Sequence, residues 1–275
     1  MIRKINFKEV LFWIIALILA VGISIYQRIT GPTFPVKGKT EISGKIVEYS
    51  LPRSHSGDGD KQIMILIPDT SVSADLKFRR FIRDPKMQDE WSLLPMIRSG
   101  DTLAASIPHQ PPAGKIEYYV IVKTGVNESS LVEKPTIIRF TGAVPNLVLI
   151  LHIILIYLAM IVAFRTGIEA IFIKKKTYQY TVATVILLFV SGLVLGPIVQ
   201  FYAFGEFWTG FPFGHDLTDN KILVSFILWL FALYRLKKNP QNHYWALIAL
   251  AVMLLTYLIP HSVLGSELDY TKMPK

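Results

Sequence analysis

Three histidines and five carboxylates are the residues of this chain best placed to hold a metal ion or pass protons: His152, His215, His261, Glu206, Asp216, Asp219, Glu267 and Asp269. His152 lies inside the apolar run 147–164, where an imidazole is costly unless paired. That cost makes it a candidate by default. Glu206, His215, Asp216 and Asp219 belong to a segment, 200–220, that is aromatic and polar at once, and His261, Glu267 and Asp269 follow the last apolar run. Imidazole and carboxylate ligands together suit a divalent transition metal, and the same groups suit a proton relay. The spacing adds no support, since no two of these histidines stand at i, i+3 or i, i+4. His152 falls about 9 Å below the outer end of its helix at about 1.5 Å per residue, a depth that His261 does not match, so a pair of axial haem ligands is disfavoured.

Each candidate also has a bland reading. His152 can bond to the backbone or a hydroxyl of a neighbouring helix, Thr218 or Asp219 can cap the helix that follows, and the rings around Trp208 suit a membrane interface. His261 can be a helix-end residue beside Pro260. No cofactor is evident, with metal or haem standing as the alternative. The chain has no cysteine, which removes disulfides, thiolate nucleophiles, iron–sulfur clusters and covalent haem. There is no phosphate-binding Gly-x-x-x-x-Gly-Lys loop, Gly-x-Ser-x-Gly elbow or His-Glu-x-x-His pair, and no internal repeat among the apolar runs.

The elements that must position these residues follow from hydropathy. Of the 275 residues 52% are hydrophobic and only 18% charged, too apolar for an ordinary soluble chain. Five apolar runs, at 10–26, 147–164, 182–199, 222–234 and 244–259, give an α-helical transmembrane bundle of about five spans. The third should end near Gly196-Pro197, because proline is a poor helix-interior residue. The fourth is short and needs residues 217–221 to reach across. The formal charge of +9 is a topology signal and not a nucleic-acid footprint. Arg3, Lys4, Lys8, Arg165, Lys174, Lys175, Lys176, Arg235, Lys237 and Lys238 fall on one side, against Lys221, Lys272 and Lys275 on the other. The N-terminus is therefore expected inside and the C-terminus outside. The first run could instead be a cleaved signal peptide, although Ala20-Val21-Gly22 is a poor cleavage site.

Three regions result: a signal-anchor span at 1–30, an outward all-β ectodomain at 31–144, and a four-helix membrane domain at 145–275 with an outer loop at 197–221 and an outer tail. Within 31–144, strands are expected at 44–49, 62–67, 76–81, 91–97, 102–107, 116–123 and 136–140, separated by turn residues. Ser99-Gly100-Asp101 should join the fifth strand to the fourth as a hairpin. Seven short strands suggest a sandwich. Gly57-Asp58-Gly59-Asp60 lacks the spacing of a calcium loop, and Asn127-Glu128-Ser129 fits a glycosylation sequon.

The stretch from Trp91 through Ser99-Gly100-Asp101 to 116–122 resembles immunoglobulin-like or fibronectin-III-like modules of bacterial surface proteins. Val144-Pro145 leading into the His152 helix, Phe207-Trp208-Thr209-Gly210 with Asp219-Asn220-Lys221, and 261–267 resemble an uncharacterised family of bacterial polytopic membrane proteins. That resemblance implies the bacterial inner (cytoplasmic) membrane with a periplasmic β-domain, and it carries no activity. Two functions remain open. One is a non-enzymatic envelope protein docking a protein or polymer through its β-domain, with the lipid bilayer as its other partner. The other is a membrane redox or metal-dependent enzyme built on the His and carboxylate candidates.

Overall fold

The structure is a computed structural model that describes residues 7–260, 265 and 267–270. The chain divides into two compact units. One is helical, formed by the first segment up to Pro32 and by the chain from Val144 to Gly265. The other is a β unit, Thr33–Ala143, joined by the described tail residues 267–270.

Four helices of the first unit are long and apolar enough to cross a membrane: α1 (Phe7–Thr30), α2 (Asn146–Phe172), α3 (Thr177–Phe204) and α4 (Leu217–Lys238). The last, α5 (Tyr244–Leu258), has 15 residues and spans about 22 Å at about 1.5 Å per residue. The expectation for α4 is met through its extension, for the helix does begin at Leu217. Its cap is Asp216, whose side chain accepts from the Thr218 N–H, and not Thr218 or Asp219 as expected.

A correction concerns α3. It does not stop at Gly196-Pro197 but runs through them, with a π-helical segment at Phe189–Leu195 immediately before. In that segment the Gly196 N–H reaches back five residues to the Ser191 carbonyl. The wider turn relaxes the helix just where the proline ring would otherwise press on the preceding turn, and Pro197 then occupies the first turn of the α-helical remainder. The helices pack through small residues: Ala16, Ala20, Ala159, Ala163, Ala232 and Ala249 are fully buried around Trp229. Gly167 lies against Leu250, and Gly192 against Ile222, where a methyl group would overlap the leucine or isoleucine side chain.

The β unit has eleven strands among the described residues: β1 (Val36–Ile42), β2 (Lys45–Leu51), β3 (Ser54–Ser56), β4 (Lys61–Leu66), β5 (Val72–Arg80), β6 (Ser92–Pro95), β7 (Ile97–Ser99), β8 (Thr102–Ile107), β9 (Lys115–Thr124), β10 (Asn127–Ser130) and β11 (Thr136–Thr141). A sheet of order β3-β11-β9-β5-β6, with β10 also on β9, accompanies a sheet β4-β8-β7 and the hairpin β1-β2. The hairpin turns on Ser43 and Gly44, both at positive φ, as a two-residue primed turn requires. All seven expected strands are present within a few residues, and β1, β3 and β10 are additional.

The expected 91–97 strand is split. Its first part pairs with β5 and its last with β8, so the chain changes sheets at Met96, and only β7 forms the hairpin across Gly100. The alternation read in β9 holds, with Ile116, Tyr118, Val120 and Val122 all buried. They join Leu76, Ile63, Leu103, Ile138 and Phe140 in one core shared by the sheets. Because Phe140 is wholly buried there, Phe140→Ala should cost the β unit about 3–5 kcal/mol. In the full-length protein its melting transition, followed by Trp91 fluorescence, is expected to fall by more than about 10 °C.

Candidate functional site

In the helical unit, polar side chains are built in as ties between helices. Arg165, fully buried on α2, binds Glu169 one turn on (Nη1–Oε2 2.9 Å) and Glu9 of α1 (Nη2–Oε2 2.7 Å). Its guanidinium also lies among the rings of Tyr180, Phe12 and Trp13, at 4.8, 5.6 and 5.7 Å from their centroids. The second oxygen of Glu169 accepts the backbone N–H groups of Lys175 and Lys176, closing the turn from α2 into α3. One residue thus ends one helix and orients the next. Arg165 and Glu169 stand four residues apart on α2, whereas Glu9 comes from another helix and its part does not show in the linear spacing. An acid within the first turn of an apolar segment is the signal that could have found it, since such a group needs a cation.

The backbone contact that the bland reading of His152 describes is present. Its Nδ1 lies 3.0 Å from the Ser191 carbonyl, the oxygen within the π-helical segment of α3. If that nitrogen carries the proton, the ring donates to a carbonyl whose own helical pairing the π segment has altered.

Asp219 and Asp216 are both buried, and both order the loop between α3 and α4. Asp219 Oδ2 accepts from the Thr209 N–H at 2.7 Å and from Gln200 Nε2 at 3.1 Å. Asn220 accepts from the Phe211 N–H at 2.7 Å. Beside them the Lys221 ammonium donates to the carbonyls of Ile259 and Pro260, at 2.8 and 3.3 Å, a cation at the C-terminal end of α5. Glu206 and His215 are exposed on the same loop.

The remaining candidates lie elsewhere. Glu267 pairs with Arg83 and Lys115 of the β unit, and neighbouring Tyr270 donates to Gln110 and accepts the Lys115 N–H. Burial pushes the Tyr270 hydroxyl up to about 12 and pulls the Lys115 ammonium down. Asp269 is in the same tail. His261 lies outside the described residues. Among the described residues no three His, Asp or Glu side chains come together as a metal site would need.

The β unit holds a groove of about 650 Å³. Val36 and Tyr49 of the β1-β2 hairpin line it together with Arg53, Leu131, Lys134 and Thr136. Tyr49 can fold over its cross-strand partner Gly38 because any side chain there would overlap the phenol ring. The Thr136 hydroxyl is buried without a hydrogen-bond partner, and Arg53 is half-buried, its guanidinium pulled down by desolvation. Nothing in the sequence around Pro52-Arg53 marks this place. Its character depends on which side chains the fold leaves unpaired.

No protein-family model, curated protein or solved structure matches the chain.

The Arg165 tie makes a direct prediction. Arg165→Met leaves Glu169 buried without its cation and should destabilise the detergent-solubilised protein by about 3–5 kcal/mol in denaturant unfolding. Adding Glu169→Gln should recover part of that loss, because the amide oxygen still accepts the Lys175 and Lys176 N–H groups while the buried charge is gone.

Proposed function

We propose that this chain is a multi-pass membrane protein that uses its β unit as an extracytoplasmic binding part and its helical unit as the base. The carrying observation is how the helical unit spends its polar groups. His152, Arg165, Glu169, Asp216, Asp219 and Lys221 each hold a helix end, a turn or a neighbouring helix, whereas the β unit has a groove lined by Arg53, a guanidinium with no ion-pair partner among the described residues. In this reading all five helices cross, the shorter α5 included, with the N-terminus inside. The basic clusters around Lys175 and Lys237 support that orientation. Placement in a bacterial cytoplasmic membrane, an immunoglobulin-like sandwich facing the periplasm, and an envelope component as the bound partner belong to the same proposal. Two sheets around one core support the sandwich.

The absence of cysteine makes orientation directly measurable. Val126→Cys, at a position 99% exposed, should react with an impermeant maleimide on intact spheroplasts. Gln241→Cys, in the turn between α4 and α5, should react only after permeabilisation; the reverse pattern would overturn the orientation. Metal analysis and an optical spectrum of the purified protein test the binding reading itself. A metal-free protein without visible absorption is expected. Stoichiometric metal or a haem band, lost on His152→Ala with His261→Ala, would replace the binding reading with a redox or metal-dependent enzyme.

A further inference from the structure

Arginines of the β unit are mostly paired. Arg79 binds Glu117 at 2.5 Å, Arg80 binds Asp89 through two hydrogen bonds, Arg83 binds Glu267, and Arg98 donates to the carbonyls of Ile67, Asp69 and Val72. Arg53 is different. It is half-buried in the groove wall, yet among the described residues no carboxylate lies within ion-pair distance of it and no acceptor takes its guanidinium hydrogens. A guanidinium removed in part from water without a partner carries a desolvation cost that an anion would offset.

Thr136 also belongs to the lining; it is only 3% exposed, and its Oγ1 is buried beneath the groove surface without a partner. Around these two the lining is apolar, from Val36, Tyr49 and Leu131, with Lys134 and Glu133 at the exposed rim. The rim charges cancel, so Arg53 sets the sign of the site. The groove is open to solvent along its length, so a ligand would keep part of its surface in water.

We propose that this groove binds an amphipathic monoanion, its carboxylate or phosphate on Arg53 and its apolar body along Val36, Tyr49 and Leu131. The guanidinium fork matches either anion in a bidentate manner. This rests on the reading of the β unit as the binding part and names its ligand class. Such a ligand has two sources, a free amphiphile in the aqueous phase or the headgroup and upper chain of an anionic lipid.

The test uses full-length protein in phosphatidylcholine nanodiscs, with octanoate, octylammonium and acetate compared by saturation-transfer NMR. Octanoate should bind saturably, and Arg53→Gln should weaken it about tenfold or more, the loss of a charge-assisted pair. Octylammonium and acetate, lacking the anion and the apolar body respectively, should bind at least about tenfold more weakly. Lys134→Glu, at an exposed rim position that cannot disturb the core, should weaken octanoate by a few-fold, whereas Lys77→Gln should not. Equal octanoate binding in wild type and Arg53→Gln, or equal binding of octylammonium, would overturn the proposal. Lipid and free sources separate in nanodiscs containing phosphatidylglycerol: reduced octanoate occupancy only for the Arg53 protein identifies the lipid, and unchanged occupancy the free amphiphile. Failure here with Val126→Cys still labelled from outside would remove the ligand assignment alone. Inward labelling would remove the extracytoplasmic placement instead.

Discussion

A polar group inside an apolar helix bundle has no water to turn to, and its need for an internal partner organises the helical unit. α3 runs on through Pro197, the segment before it widens into a π-helix, and the ring of His152 lies at hydrogen-bond distance from the Ser191 carbonyl there. At the end with the basic clusters Arg165 joins α1 to α2 through two acids, one of which caps the entry to α3. At the opposite end Asp219 and Lys221 hold the α3–α4 loop and the end of α5. These ties are specific because any other arrangement strands a charge or a carbonyl in hydrocarbon.

That constraint changes how the unusual residues are understood. Histidines and carboxylates in and beside apolar runs read as chemistry when viewed one by one. In the folded unit Glu169, Asp216 and Asp219 complete turns and a helix cap and His152 meets a backbone carbonyl, which satisfies irregular backbone inside the bundle. The β unit obeys a looser rule, since water can satisfy groups at its surface. Arg53, half-buried with no ion-pair partner among the described residues, stands out there against Arg79, Arg80, Arg83 and Arg98, each of which is paired.

The outlines were legible in the residues because they rest on local physics. Apolar run length set the helices, and two-residue alternation set β9 and its neighbours. Boundaries that depended on partners were not legible. Pro197 signalled an end to α3, but the π segment absorbs it. The 91–97 strand read as one element, yet its halves pair with different sheets because Ser92–Pro95 finds β5 and Ile97–Ser99 finds β8.

Sequence by itself determined that this is a membrane chain of apolar helices with a β-rich insertion between the first and second, and which residues could carry charge near the spans. Tertiary structure alone decided which neighbours His152, Asp216, Asp219 and Glu267 meet. Whether His152 is a ligand or a tie depends on which carbonyl faces it, and Glu267 meets Arg83 and Lys115 through a contact that spans most of the chain. Arg53 differs from Arg79 only in what the fold brings beside it. Pairing is a property of three-dimensional neighbours, and a linear order of residues does not contain it.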